Sequence, residues 1–372
     1  MKIGLVCPYN IFRGGGVQEV VLALHDEMLN QGHQSHIITP LPRDYRGDRS
    51  DGIIFVGTSA NVKSPFHTTA QVSVSLNTDE IDSMLTREQF DILHFHEPWV
   101  PIMSRQLLIR SKAKNIATFH AKLPETIMSR TIERVVTPYT KSVMKYLDQL
   151  TAVSEAAGEY VQSLTPREVQ IIPNGIDLTK YRWSNSGAKT SAGTILYVGR
   201  LEKRKGVKYL LKAFALLCQQ DANCQLVIAG DGVDRSKLEE FTREHNIPRV
   251  KFVGYVSEAE KLRLLATADL FCSPALYGES FGIVLLEAMA CGLVIVAGNN
   301  SGYASVLKDK GALSIINPKD SREFARRLGL LLYDDTVRQV WRQWAKTYIK
   351  QFSYKQVAAQ YADLYKQAIK QV

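Results

Sequence analysis

The chain holds 372 residues, 45% hydrophobic and 22% charged, with 46 basic against 37 acidic side chains and a formal charge of +9. That length is too great for one comfortable core and suits two domains of roughly 150–200 residues each, in a composition typical of an ordinary soluble globular protein. No apolar run approaches the roughly 20 residues of a membrane-spanning helix, and Cys7, Cys218, Cys224, Cys272 and Cys291, odd in number and scattered, exclude a disulfide framework.

The positive surplus favours anionic partners, whether phosphates, nucleic acid or an acidic membrane face; lysine spread over a solvated surface explains it equally well. The chain opens directly on a strand-like run at residues 3–6, without the long apolar stretch and small-residue cleavage site of an export signal, so a cytoplasmic protein is expected. Arg13-Gly14-Gly15-Gly16-Val17-Gln18 follows, ahead of a helical stretch at 19–29. Glycines at a strand-to-helix turn let the backbone approach a ligand, and a helix N-terminus favours anions. A tight turn without a ligand is the competing account, and G-x-G-x-x-G is absent, so dinucleotide binding is not implied.

Strand-like runs recur at 36–39, 92–94, 115–119 and 149–153. One leads into His94-Phe95-His96-Glu97-Pro98 and the next into Phe119-His120-Ala121. His94 and His96 point to one sheet face, but no third ligand accompanies them and no Cys/His cluster has zinc-ligand spacing. His120, at a strand terminus, is the better candidate for substrate contact. Residues 184–193 are unpatterned and rich in small residues, which places a hinge between about residues 165 and 193.

A second set of runs lies at 194–199, 225–230, 250–253, 269–273, 293–297 and 313–316. Short β-rich runs alternating with helical patterns predict parallel sheets covered on both faces. Gly199-Arg200-Leu201-Glu202-Lys203-Arg204-Lys205-Gly206 follows the first of these. Arg200 can grip a phosphate bidentately and Lys205 can serve as a flexible point charge, at the strand end where open α/β sheets bind ligands. Lys203 and Arg204 read as solvated surface charge. Further on, Glu279 and Glu287 stand eight apart, about two helical turns, so a helix is expected to present Glu287 on the face that Glu279 approaches. One such carboxylate can accept two ribose hydroxyls and the other can bind a sugar. The last forty residues look helical, with Trp341, Trp344, Tyr348, Phe352, Tyr361 and Tyr365, and the tail is expected to cross back onto the first domain.

Together these segments resemble the retaining glycosyltransferases of family four, with the GT-B fold. The resemblance covers nearly the whole chain, and its specific marks are Glu279-x7-Glu287 and Gly199-Arg200-x4-Lys205-Gly206. Within the family, MKIGLVCPY, GGGVQ, DILHFHEP, ATFHA, IPNGID and GESFGIVLLEAMACG are similar to the phosphatidyl-myo-inositol mannosyltransferases, which use GDP-mannose. The resemblance implies an α/β protein of two Rossmann-like doubly wound domains facing across a cleft. Residues 1–170, rejoined by a C-terminal helix at about 355–372, form the acceptor side, and residues 171–354 bind the nucleotide sugar.

By the same resemblance, Arg200 and Lys205 bind the donor diphosphate, assisted by backbone near Gly15 and Gly16. Glu287 matches the ribose-binding glutamate and Glu279 the one beside the transferred sugar. The main chain at Tyr255 and Val256 meets the base, His120 contacts the hexose, and the amides of Phe281, Gly282 and Ile283 lie near sugar hydroxyls and phosphate. Glu279, His120, Arg200 and Lys205 form the implied catalytic set. No tightly bound cofactor is implied, and the lack of any Asp-x-Asp triplet argues against a metal-bridged diphosphate. Transfer creates an oxocarbenium-like sugar and a diphosphate leaving group, so charge stabilisation at the diphosphate is the strongest need. Front-face attack, with the departing phosphate taking the acceptor proton, is the implied route to retention.

The implied partners are a nucleotide sugar, with GDP-mannose favoured, and a phosphatidylinositol-type lipid, in glycolipid biosynthesis with peripheral contact at the inner face of the membrane. One segment departs from this pattern. Membrane-docking members carry a basic amphipathic helix just before the strand ending in His-x-His-Glu-Pro, whereas residues 77–89 here hold Asp79, Glu80, Asp82 and Glu88 against Arg87 alone. Anionic lipid repels such a helix, although Arg105, Arg110, Lys112 and Lys114 lie nearby. The alternatives are a UDP-sugar donor, a soluble polyol or sugar acceptor, or a non-catalytic nucleotide-sugar binding protein. Nucleic acid is disfavoured, because no basic patch interleaved with aromatics is present.

Overall fold

A computed structural model describes residues 1–43, 45–47, 51–63, 69–75, 77–122, 127–181, 183, 193–219 and 223–370. The chain divides into two compact units, Met1–Gly175 with Tyr354–Val372, and Ile176–Ser353. The small-residue stretch read as part of the hinge falls on 184–192, outside the described residues.

The first unit runs β1 (Lys2–Val6), α1 (Gly16–Asn30), β2 (Gln34–Leu41), β3 (Ile53–Lys63), β4 (Thr69–Ser75), α2 (Thr78–Glu88) and β5 (Ile92–His96). It continues with α3 (Met103–Leu108), β6 (Lys114–Phe119), α4 (Ile127–Met144), β7 (Gln149–Ala152), α5 (Glu155–Gln162) and β8 (Val169–Ile171). The strands form one sheet in the order β4-β3-β2-β1-β5-β6-β7-β8, parallel except for β4, which runs antiparallel at the edge. Strand order therefore reverses between β1 and β5, and in open α/β sheets the ligand crevice lies outside the C-terminal strand ends at such a point. The turn before α1, the His96-Glu97 corner after β5 and His120 after β6 all stand at that end.

The sequence carried no strand expectation for β3, β4 or β8. Gly57 and Asn61 interrupt β3, β4 is more than half polar and β8 has only three residues, all features that weaken a strand signal. Pro40, inside β2, sits where the β2–β3 register shifts between Thr39 and Leu41, so its missing N–H falls on an irregularity rather than a regular ladder.

The second unit contains β9 (Gly193–Val198), α6 (Val207–Gln219), β10 (Cys224–Ala229), α7 (Arg235–Glu244), β11 (Val250–Gly254), α8 (Glu258–Thr267) and β12 (Leu270–Ser273). It ends with α9 (Ile283–Ala290), β13 (Val294–Gly298), α10 (Ser301–Val306), β14 (Ile315–Ile316), α11 (Ser321–Tyr333) and α12 (Asp335–Tyr348). Its six strands pair in parallel in the order β11-β10-β9-β12-β13-β14, with the reversal between β9 and β12. All six expected strands are present. The last is shorter than its apolar run, because Asp309–Ser314 forms a 3-10 turn instead. Trp341 of α12 is buried and its Nε1 donates to Ser314 Oγ at 2.9 Å.

The final helix, α13 (Tyr354–Lys370), returns to the first unit. Val357, Tyr361, Leu364, Tyr365 and Ala368 recur at helical spacing and share a core with Ile3 and Leu5 of β1 and Val21 and Leu24 of α1. A buried polar chain adds to this packing. Thr151 Oγ1 donates to the Ala117 carbonyl at 3.0 Å, so its lone proton is spent and it accepts from Thr118 Oγ1 at 2.6 Å. Thr118, having donated there, accepts from Tyr361 at 3.1 Å and from His94 Nε2 at 2.6 Å. His94 is thereby the Nε2–H tautomer, and its Nδ1 accepts from Tyr365 at 2.7 Å. Burial drives its pKa down to about 3, so the ring is neutral.

Replacing Tyr365 by Phe leaves the buried His94 Nδ1 without its donor, a loss of about 1–3 kcal/mol. Hydrogen exchange over α13 should accelerate in the variant while exchange in β9–β14 is unchanged.

Candidate active site

In the second unit, β9 delivers the chain to Gly199 and Arg200, where Leu201 is fully buried and its N–H donates to the Asp231 carbonyl at 2.8 Å. That anchor fixes a 3-10 turn at Lys203–Lys205, which Gly206 closes with φ of 72° before α6 begins. A neighbouring loop leaves β12 and carries Glu279 ahead of α9. The two loops meet through the backbone, Leu276 N–H donating to the Arg204 carbonyl at 2.8 Å.

Glu279 Oε1 accepts from both Arg204 Nη1 and Lys205 Nζ, each at 2.7 Å. Arg204 Nε also meets Glu202 Oε2 at 3.0 Å, and Glu202 Oε1 meets Arg200 Nη1 at 2.8 Å. Five charged groups thus form one alternating chain, Arg200–Glu202–Arg204–Glu279–Lys205. Burial opposes the Arg204 charge, yet Glu279 and Glu202 together raise its pKa. Burial prevails at Lys205, whose pKa is lowered although Glu279 pulls the other way.

Two glycines fit this loop against α10. A Cβ on Gly302 would collide with the Glu279 carbonyl oxygen, and one on Gly282, at φ 108°, would collide with the Tyr303 ring. Tyr303 is held in turn by a 2.7 Å bond between its hydroxyl and Ser273. Phe281 is buried edge-on to Phe352 at 6.1 Å, and Gly282 and Ile283 form the N-terminal corner of α9.

The reading of the eight-residue spacing of Glu279 and Glu287 as two helical turns is corrected: α9 begins at Ile283, so Glu279 belongs to the loop and only Glu287 to the helix. Glu287 has partners of its own. Lys261 Nζ donates to its Oε1 at 2.7 Å and Tyr181 Oη at 3.1 Å, and Lys261 also pairs with Glu258 at 2.9 Å. Burial raises the Glu287 pKa and Lys261 counters it. Tyr255 follows β11 and is 84% exposed, with Val256 half-buried beside it.

Arg204 is a second correction. Its side chain is 23% exposed and bonded to two carboxylates, not a solvated surface charge. Glu202, Lys261 and Tyr181 were also missed; Glu202 lay inside the basic motif, while no local signal singled out Lys261 or Tyr181.

In the first unit, Gly15 caps α1 in extended conformation and Gly16 is the first helical residue. At the β5 corner, Glu97 takes a left-handed φ of 53°, a strained conformation for a side-chain-bearing residue. Its Oε1 accepts from the His120 N–H at 2.7 Å. His120 Nε2 and His96 Nδ1 lie 2.9 Å apart. Among the described residues, His96 Nε2, Glu97 Oε2 and Asn174 Oδ1 are buried with no hydrogen-bond partner. Among the described residues no group of three or more His, Cys, Asp or Glu side chains is placed to hold a metal ion.

Glycosyltransferase Family 4 matches residues 14–180 and Glycosyl transferases group 1 matches residues 182–348. The fold is that of solved enzymes: sucrose-phosphate synthase from Thermosynechococcus elongatus superposes with a TM-score of 0.77 at 18% identity, covering 100% of both chains. Anabaena HepE, solved in complex with UDP-glucose, gives 0.74 at 18% identity, covering 99% of this chain and 100% of that one. Two doubly wound units matched end to end by these models define a glycosyltransferase of the GT-B fold. The chain belongs to the family 4 glycosyltransferases, and a relative, the phosphatidyl-myo-inositol mannosyltransferase of Mycolicibacterium smegmatis, is 30% identical over 376 residues, 98% of this chain and 93% of that protein.

The first-unit cluster makes stability depend on pH in two senses. Burial lowers His94 to about 3, His120 to about 4 and His96 well below the ordinary 6.5, and raises Glu97 from 4.5 to about 8. Between 4.5 and 6.5 only the unfolded chain charges these imidazoles, so stability rises with pH. Between 6.5 and about 8 only the folded chain keeps the Glu97 proton, so stability falls as pH rises. Denaturant midpoints measured from pH 5 to 9 should show both limbs, and Glu97→Gln should lose the alkaline one.

Proposed function

We propose that this glycosyltransferase moves mannose from GDP-mannose, with retention, to a phosphatidylinositol-type lipid. The observation that carries the reading is the near full-length similarity to phosphatidyl-myo-inositol mannosyltransferase. The geometry of the second unit supports a donor site of this kind. In this reading Arg200 and Lys205 bind the diphosphate. Glu279, held by two cations, lies beside the transferred sugar, and the amides at Phe281, Gly282 and Ile283 add donors at a helix start. Glu287 takes the ribose, Tyr255 and Val256 the base, and His120 the hexose. The leaving diphosphate then gains its negative charge among groups already oriented, which is the largest contribution such a site makes. Retention follows from front-face attack, with the departing phosphate accepting the acceptor's proton.

A second reading keeps the donor site and gives it a soluble acceptor or a uridine donor. Helix α2 favours it: Asp79 and Glu80 crowd its first turn, and Asp82 ties up Arg110 of the nearby basic run at 3.3 Å. Lys114 of the same run pairs with Asp148 at 3.5 Å. No helix among the described residues is long and apolar enough to cross a membrane, so lipid use would rest on peripheral contact.

The two readings separate in one assay. Vesicles containing phosphatidylinositol, and free inositol in parallel, are incubated with GDP-mannose or UDP-glucose and the products identified by mass spectrometry. Mannosylated lipid from GDP-mannose alone is expected; product from the uridine donor or on free inositol transfers support to the second reading. In the productive pairing, Arg200→Ala, Lys205→Ala and Glu279→Ala should each lower kcat/KM by about 10²- to 10³-fold with circular dichroism unchanged. A variant at the wild-type rate removes its residue from the proposed set.

A further inference from the structure

We propose that Glu202 is an internal competitor for the donor diphosphate, a residue that sets nucleotide affinity by occupying the guanidinium that the diphosphate must take. The inference rests on the reading of this loop as the diphosphate site. Glu202 spans two guanidiniums, one carboxylate oxygen to Arg200 Nη1 at 2.8 Å and the other to Arg204 Nε at 3.0 Å. A phosphate grips a guanidinium by the same N–H fork as a carboxylate, so Glu202 at Nη1 competes with any bidentate phosphate that takes that nitrogen of Arg200.

The cations differ in what they keep when Glu202 is displaced. Arg204 retains Glu279 at 2.7 Å and the Gly278 carbonyl at 3.3 Å, and Lys205 retains Glu279. Arg200 has no other ion pair among the described residues, and its side chain is 47% exposed. It is therefore the cation available for exchange. The backbone does not oppose the exchange, since the Glu202 carbonyl closes the 3-10 turn by accepting from Lys205 N–H at 2.9 Å whatever the side chain does. Binding then replaces one carboxylate by a more highly charged anion, and the remaining negative charge of Glu202 opposes that anion in proportion to the ligand's charge.

The test is isothermal titration calorimetry of the full chain, wild type and Glu202→Gln, with GDP and UDP, the corresponding monophosphates and the nucleosides. Glu202→Gln should bind the preferred diphosphate about two- to fivefold more tightly, the monophosphate with a smaller gain and the nucleoside with none. Glu323→Gln, which neutralises a carboxylate paired with Arg326 and Arg327 on α11, serves as the charge control and should bind as wild type does. Equal or weaker diphosphate binding by Glu202→Gln, with a wild type that binds, overturns the inference and leaves the donor site standing; Glu202 would then be what holds Arg200 in place. A gain shared by Glu323→Gln overturns it in favour of overall charge. A wild type that binds neither GDP nor UDP overturns the donor-site reading together with the inference.

Discussion

Arg204 and Lys205 are neighbours in sequence, and like charges on adjacent residues diverge into solvent unless one counter-charge serves both. A single oxygen of Glu279 serves both here, at 2.7 Å from each. The turn after β9 and the loop after β12 come from strands that are themselves neighbours in the sheet, so the bond closes a short circuit across the topological switch point. Burying the Lys205 ammonium without that carboxylate would carry a large desolvation penalty. The loop after β12, the start of α9 and the seat of α10 all depend on where Glu279 is held.

The strand ends of the first unit follow the opposite electrostatic rule. His94, His96 and His120 are neutral and Glu97 keeps its proton, because burial disfavours the charged form of each. Neutral groups in such surroundings act through hydrogen bonds whose direction is fixed by what lies behind them. For His94 that direction is settled by two threonines and two tyrosines, which spend both ring nitrogens on structure. His96 and His120 share one bond and keep their position at the strand ends. Two histidines a residue apart therefore have different work: His94 fastens α13, and His96 supports His120.

Both sheets were legible as apolar runs because parallel strands bury both faces and leave near-continuous hydrophobic stretches, as in β9, β10 and β12. The strands that escaped notice, β3, β4 and β8, break that rule, with polar or very short sequences. At the site, Arg200, Lys205 and Glu279 stood out because their motif is local. The side chains that complete their surroundings did not. Lys261 lies 26 residues from Glu287 and Tyr181 lies 106 from it, separations at which no periodicity joins them. Arg204 was misread for a related reason: a basic run shows its charge, while the carboxylate that draws one member inward lies 75 residues away.

Gly302 bears no functional group, yet the carbonyl of Glu279 occupies the place where its Cβ would be. Any side chain there would have to displace the backbone that carries Glu279. Shape at this position is thus inherited by the chemistry of another, and the room for sequence drift around the site is set as much by atoms that must be missing as by those that must be present. The constraint travels with the backbone rather than with any substrate.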